Sequence, residues 1–131
     1  MKQFRNPETV HAPLAGYSHQ VELSGNERLL VLSGQVGMRT DGTVPDDATE
    51  QFGVALENVE RNLDAAGLTI RDLVKLTLYL VGQMDQERRR TVLTEKLAGH
   101  APCMTLVYVA ALAAPIYKVE IDAWASSDHA A

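Results

Sequence analysis

The pattern of apolar and polar residues along the chain predicts several extended segments. Residues 74–80 and 117–125 alternate with a period of two, which is typical of strands that bury one face. Two further apolar segments, residues 17–23 and 28–36, are separated by a Ser-Gly-Asn triplet that can form a tight turn. These two segments therefore predict a β-hairpin.

Between the extended segments the apolar period changes to that of a helix. Apolar positions recur at alternating steps of four and three, which predicts an amphipathic helix; they are Phe52, Leu56, Val59, Leu63 and Ala66. Asp46 or Asp47 can cap the start of this helix, and Gly67 can adopt the left-handed conformation that ends it. A second helix is expected from a cap at Asp85 to Gly99.

These elements follow one another as ββαβαββ in a single domain that covers residues 1–131, with unstructured ends at residues 1–13 and 126–131. Because each helix buries one stripe, the pattern predicts an α+β fold with both helices on one face of a mixed sheet. The predicted strand at residues 104–111 is apolar on both faces, which favours burial on both sides. We therefore expect a homo-oligomer that closes over the remaining sheet face.

Charge and composition narrow the possible partners. The 131 residues include 12 lysines and arginines against 17 aspartates and glutamates, a net charge of −5, so nucleic acid is not an expected partner. The longest apolar run, residues 106–114, is about half of the ~20 residues that cross a bilayer, so no membrane span is expected. With one cysteine, Cys103, and no apolar leader, the expected location is the cytoplasm.

Seven short motifs occur in an order typical of one protein family. They are Tyr17, Ser33-Gly34-Gln35, Ala55-Leu56-Glu57-Asn58, Ala65-Ala66-Gly67, Val74-Lys75-Leu76-Thr77, His100-Ala101-Pro102 and Val119-Glu120-Ile121-Asp122-Ala123. In this order, from about residue 17 to residue 124, the chain resembles the reactive-intermediate deaminase family (RidA, YjgF-type), some members of which are called L-PSP endoribonucleases.

The resemblance implies a fold and an activity. The fold is chorismate-mutase-like, in a homotrimer with a barrel-like core of sheets and three clefts between subunits. The activity is hydrolysis of enamine and imine intermediates, such as 2-aminoacrylate, to a 2-oxo acid and ammonia, with no cofactor.

Glu120, Tyr17, Ser33 and Gly34 are candidate site residues. Taken alone, Glu120 is typical of a solvent-facing strand, Tyr17 of a hairpin edge, and Ser33-Gly34 of a strand end or bulge. The resemblance instead implies that the Glu120 carboxylate lies in the cleft, where it activates water or protonates the departing amine. Tyr17 can hydrogen-bond a ligand, and Gly34 permits close approach of backbone N–H groups to an anion.

Met104 departs from the family pattern. Active members have an arginine here, in a Pro-x-Arg motif, that binds the substrate carboxylate, and a thioether cannot replace that contact. This chain has Leu106 where family members have a cysteine on the same strand, and Arg90 where many members have an asparagine on the second helix. The chain thus resembles an arginine-lacking branch, in which Arg90, Arg39 or Lys118 could supply the missing charge. The arginine run 88–90 itself favours a solvated helix face for Arg90.

Metal and nucleic-acid sites are not predicted. His100 and Cys103 lack the third and fourth ligands that zinc requires, and the arginine run is without interleaved aromatic residues. Cys103 is more typical of a strand residue than of a nucleophile. Two hypotheses remain: an enamine/imine deaminase with an altered substrate preference, or a non-enzymatic member that binds a small metabolite or a partner protein in the same cleft.

Overall fold

A four-stranded sheet with two helices on one face forms most of the computed structural model, which describes residues 1–128. A separate two-stranded sheet lies at the start of the chain. The elements are β1 (Lys2–Arg5), β2 (Gln20–Leu23), β3 (Arg28–Val36), α1 (Ala48–Ala65), β4 (Leu73–Leu80), α2 (Gln86–Leu97), β5 (Cys103–Tyr108) and β6 (Val119–Ser127), with a 3₁₀ turn at Ile70–Asp72.

The large sheet has the strand order β3-β6-β4-β5. The β4–β5 pair is parallel, and the β3–β6 and β4–β6 pairs are antiparallel. The sheet is therefore mixed, and the predicted α+β architecture with two helices on a mixed sheet is confirmed.

The predicted hairpin between residues 17–23 and 28–36 is wrong. β2 pairs with β1, which lies within the segment expected to be unstructured, whereas β3 pairs with β6. The reason is burial: β3 supplies Leu32 to the core beside Ala123 of β6, while β2 has two polar residues of four and only one half-buried position. The observed order is therefore βββαβαββ.

Two strand ends also differ from the prediction. β5 stops at Tyr108 instead of residue 111, and β6 continues through Ser127 into the expected unstructured end. Antiparallel pairing with β3, which extends to Ser127 opposite Arg28, holds this end of β6 in the sheet. Residues 129–131 lie outside the described part of the chain.

Both helices begin at the predicted caps. The Asp47 carboxylate accepts a hydrogen bond from the Glu50 N–H at 3.0 Å, and the Asp85 carboxylate accepts one from the Arg88 N–H at 3.1 Å. Gly67 follows α1 with a φ of 74°, as predicted. α2 ends at Leu97, two residues before the predicted Gly99, and both Ala98, with a φ of 47°, and Gly99, with a φ of 88°, adopt the left-handed conformation.

The helix-covered face of the sheet contains the core, whereas the opposite face, which we call the open face, is largely uncovered. Leu76, Leu78 and Ile121 are at most 2% exposed beneath the helices. On the open face, Val31 is 54% exposed and Trp124 is 43% exposed. β5 forms an edge of the sheet, and its residues 105–108 are exposed within one chain. Its burial on both sides, which was expected in a homo-oligomer, stays a prediction. Across residues 1–128, neither helix has the length and hydrophobicity to cross a membrane.

Candidate functional site

Glu120 and Gly34 meet on the open face. The pairing of β3 with β6 is interrupted between Leu32 and Gln35, so that Ser33 and Gly34 together lie opposite Asp122. A Cβ atom at Gly34 would lie only 2.6 Å from the carboxyl carbon of Glu120. Glycine is therefore what allows the Glu120 carboxylate to lie directly against the bulge.

Two further polar side chains, those of Tyr79 and Asp122, lie beside Glu120, and neither was among the predicted site residues. Tyr79 of β4 is the register partner of Glu120, and its hydroxyl donates a 2.9 Å hydrogen bond to Asp122 Oδ2. This hydrogen bond is the main cause that raises the pKa of Tyr79, with burial and the charges of Asp122 and Glu120 adding to it. Tyr79 thus remains a neutral donor between two carboxylates. We call Gly34, Tyr79, Glu120 and Asp122 the Glu120 cluster.

Met104 lies on the other face of the sheet. It packs against the core and lines a cavity of about 380 Å³ between α2, the start of β5 and the loop at residues 14–16. We call this space the Met104 cavity. Leu93, Leu97 and Ala101 supply further apolar wall, and Arg90 also lines it.

The Arg90 side chain is exposed and makes no hydrogen bond or ion pair with any other residue of the described chain. The other two cations considered from the sequence lie elsewhere. Arg39 contacts Thr43 in a turn, and Lys118 donates to the Pro115 carbonyl. Among residues 1–128, Arg90 is therefore the one of these three cations that reaches the Met104 cavity.

Tyr17 orders the loop that closes one side of the Met104 cavity. Its hydroxyl accepts a 3.1 Å hydrogen bond from the Leu14 N–H, and its ring packs edge-on against His19. Ser33, in contrast, is an exposed residue of the bulge whose carbonyl accepts a hydrogen bond from the Gln35 side chain at 3.0 Å. The predicted site residues thus form two groups, Gly34 and Glu120 with Ser33 on the open face, and Met104 and Arg90 with the Tyr17 loop on the other.

The arginine run does not form a uniform solvated surface. Arg88 pairs with Asp47 at 3.2 Å, whereas Arg89 is only 6% exposed and donates a 3.3 Å hydrogen bond to the Tyr108 hydroxyl. Within residues 1–128, no carboxylate pairs with Arg89. Because buried charges are normally paired, the Arg89 guanidinium is an unusual feature of α2.

His100 and Cys103 have structural contacts. The His100 Nε2 donates to the Leu73 carbonyl at 2.7 Å, and its ring packs edge-on against Phe4. Burial raises the pKa of the Cys103 thiol, and the nearby Lys75 charge only partly offsets this, so the nucleophilic thiolate is disfavoured. Nowhere in the described chain do three or more His, Cys, Asp or Glu side chains form a group that could hold a metal ion.

Comparison with known proteins gives one consistent family. The sequence model of the family described as Endoribonuclease L-PSP matches residues 8–127. A RutC family protein of Pyrococcus horikoshii is 30% identical over 125 residues, which cover 94% of this chain and 96% of that protein. TdcF of Escherichia coli, whose name gives a provisional assignment as a reactive intermediate deaminase, is 31% identical over 122 residues, or 88% of this chain and 92% of TdcF.

Solved structures give the same result. A protein of unknown function from Yersinia pestis, YyfB of the conserved Rid family, has a TM-score of 0.80 and 31% identity, covering 95% of this chain and 97% of that one. The crystal structure of E. coli TdcF with bound serine has a TM-score of 0.70 and 27% identity, covering 96% of this chain and 99% of TdcF.

Proposed function

Because the chain belongs to the endoribonuclease L-PSP family, which includes the RidA and YjgF proteins, we propose that it is an enamine/imine deaminase. It would hydrolyse C=N bonds of small molecules to a carbonyl compound and ammonia, without a cofactor, in the cytoplasm. The observation that carries this proposal is the Glu120 carboxylate, which lies against the Gly34 bulge beside a protonated Tyr79.

One carboxylate is sufficient for this reaction, because a protonated imine is already electrophilic. Glu120 accepts a proton from water while the water oxygen bonds to the imine carbon and the C=N π electrons move to nitrogen. The protonated Glu120 then donates to the amine of the carbinolamine. The C–N bond breaks, ammonia leaves, and the hydroxyl proton is released as the carbonyl forms. An enamine enters the same sequence after protonation at carbon.

The Glu120 cluster and the Met104 cavity lie on opposite faces of the sheet, so one chain cannot present both to the same ligand. We propose that they form one cleft between subunits of a homotrimer with a chorismate-mutase-like, barrel-like core. The exposed apolar side chains of the open face, which include Leu29, Val31 and Trp124, support association of this kind. The apolar Met104, in place of the family arginine, would then alter the substrate preference.

The direct test is Glu120→Gln, which preserves shape and hydrogen bonding but removes the proton acceptor. We expect ammonia release from imines formed in situ by an amino-acid oxidase to fall at least ~100-fold, with thermal unfolding unchanged. Glu57→Gln, an exposed carboxylate of α1 paired with Arg61, is the matched control and should keep full activity. Unchanged turnover in Glu120→Gln would exclude Glu120 as the proton shuttle. A wild type that releases no ammonia from any imine would favour the non-enzymatic, ligand-binding alternative.

Subunit mixing tests the shared cleft. Glu120→Gln disables the Glu120 cluster, and Arg90→Glu places a negative charge at the rim of the Met104 cavity. If equal amounts of the two variants assemble at random, about one cleft in four pairs an intact Glu120 with an intact Arg90 from the neighbouring chain. Co-refolded variants should therefore recover about a quarter of wild-type activity, whereas each variant alone stays inactive. If the Glu120 cluster and the Met104 cavity of the same chain acted together, co-refolding would restore no activity.

A further inference from the structure

The Met104 cavity combines an apolar wall with a single unpaired cation. Leu93, Leu97, Ala101 and Met104 supply the apolar wall, and Arg90 lines the same cavity. Glu87 and Glu95, the acidic residues nearest to Arg90 on α2, form no ion pair with it in the described chain. The guanidinium therefore has all of its donors available for a ligand.

The remaining titratable side chain of the cavity is not available in the same way. The Nε2 of His100 is engaged with the Leu73 carbonyl, and its ring edge packs against Phe4. The hydroxyl of Thr94 is the other polar side-chain group in the wall, and it is neutral. An anionic group in the cavity would therefore be bound by Arg90.

The size of the cavity limits what can occupy it. Its volume of about 380 Å³ lies at the small end of the range of ~300–1,000 Å³ for ligand pockets. A carboxylic acid with a short hydrocarbon side chain fits within this volume. Met104 has no hydrogen-bond donor, so the part of the ligand that contacts it must be apolar.

We propose that the substrates are 2-imino acids with an apolar side chain larger than that of 2-aminoacrylate, the carboxylate bound by Arg90 and the side chain packed against Leu93, Leu97 and Met104. This inference rests on the proposed function for the reaction, but the recognition it describes is a property of the cavity alone. The altered preference is then a shift toward bulkier apolar substrates, with the carboxylate contact moved from β5 to α2.

The test is binding of the corresponding 2-oxo acids, measured by titration calorimetry on the intact assembly. The probes are 2-oxopropanoate, 2-oxobutanoate, 2-oxopentanoate and 4-methyl-2-oxopentanoate. We expect the Kd to fall about fourfold for each added methylene that becomes buried. The methyl esters of the same acids, which lack the charge, should bind at least tenfold more weakly.

Three variants make the result specific. Arg90→Gln should weaken every acid at least tenfold and leave the weak binding of the esters unchanged. Leu93→Ala should flatten the dependence on chain length. Arg61→Gln, an exposed arginine of α1 that pairs with Glu57, is the matched control and should bind like the wild type. Equal affinity across the series, or an affinity for the acids that is independent of Arg90, would overturn the inference.

Binding to Glu120→Gln separates this inference from the proposed reaction. If that variant keeps the wild-type order of affinities, the recognition stands whether or not any imine is hydrolysed. If instead the wild type hydrolyses 2-aminoacrylate readily and binds the longer acids no better, the proposed reaction stands and the proposed substrate class is wrong.

Discussion

The helix-covered face and the open face of the sheet differ in how a change of side chain affects the protein. On the covered face, apolar residues of β4 and β6 contact α1 and α2 and hold the fold together. On the open face, the polar Glu120 cluster lies next to exposed apolar side chains such as Val31 and Trp124. In the proposed homotrimer the open face would be constrained by the subunit that covers it, and its polar centre would exclude water only there.

The largest expected effect comes from placing a charge on the open face. Trp124→Glu should leave the chain folded but prevent association, because a carboxylate would have to be buried against the partner. Light scattering at micromolar concentration should give a mass of three chains for the wild type and one chain of 14.3 kDa for the variant, with all activity lost. Trp124→Phe should remain associated. A wild type that stays at one chain mass would contradict the homotrimer.

Two glycines with similarly close neighbours extend the comparison of the two faces. A Cβ at Gly37 would lie 2.5 Å from the Gln51 carbonyl oxygen and 2.7 Å from its Cα in the first turn of α1. For a Cβ at Gly34, the three nearest atoms all belong to the Glu120 side chain. Gly37→Ala must move helix backbone, so we expect it to lower the free energy of unfolding by about 3 kcal/mol.

Gly34→Ala displaces a flexible side chain, so it should lower kcat/KM about 100-fold with little change in stability. Urea unfolding and ammonia release on the same two variants give the comparison. Equal stability losses at both positions would show that the bulge has the same structural role as the core.

Met104→Arg tests the helix side of the proposed cleft. Since Arg90 lines the same cavity, a second guanidinium introduces like-charge repulsion and removes apolar wall. We expect kcat/KM for imino acids with branched apolar side chains to fall about tenfold, measured beside wild type and Arg90→Ala. A gain on 2-iminobutyrate in Met104→Arg, with no loss in Arg90→Ala, would mean that Arg90 does not bind the carboxylate.

The smallest expected effect concerns Tyr79. The folded-state pKa of Tyr79 is raised, mainly by the hydrogen bond to Asp122, so the protonated phenol contributes stability below its unfolded pKa of about 10. That contribution is lost as pH rises through the higher folded pKa. Tyr79→Phe should therefore lower Tm slightly near pH 8, and the difference from wild type should disappear in strongly alkaline solution. A difference that does not change with pH would assign the effect to packing.

The periodicity of the sequence was sufficient for the strongly amphipathic elements. β4, β6 and α1 lie where the apolar period placed them, because each buries one face or stripe against the core. The partner of β2 was mispredicted because periodicity shows which face of a strand is apolar but not which strand lies beside it. The segment before β2 is also held by a long-range hydrogen bond, from the Ser18 N–H to the Pro102 carbonyl at 3.2 Å, which periodicity cannot show.

For the candidate site, the sequence supplied residues to consider but not their arrangement. Glu120, Gly34, Met104 and Tyr17 were identified through family resemblance, and alternation along β6 already placed Glu120 opposite the core face. Tyr79 could have been found only from the register between β4 and β6. The burial of Arg89 had a sequence signal in its spacing, because Arg89 lies three and four residues before Val92 and Leu93, on the stripe of α2 that packs against the core.

The bulge gives β3 one residue more than regular pairing with β6 requires. Deleting Ser33 would place Gly34 opposite Asp122, and Leu32, Gln35 and Val36 would all keep their present partners on β6. The strand could thus become a regular ladder without a change of register. The register of the sheet therefore does not require the extra residue, and if Glu120 has its proposed role, the place of the bulge beside it would make the bulge part of the surface around that carboxylate. The number of residues in β3 at this point would then shape the candidate site as much as the identity of the side chains in the Glu120 cluster.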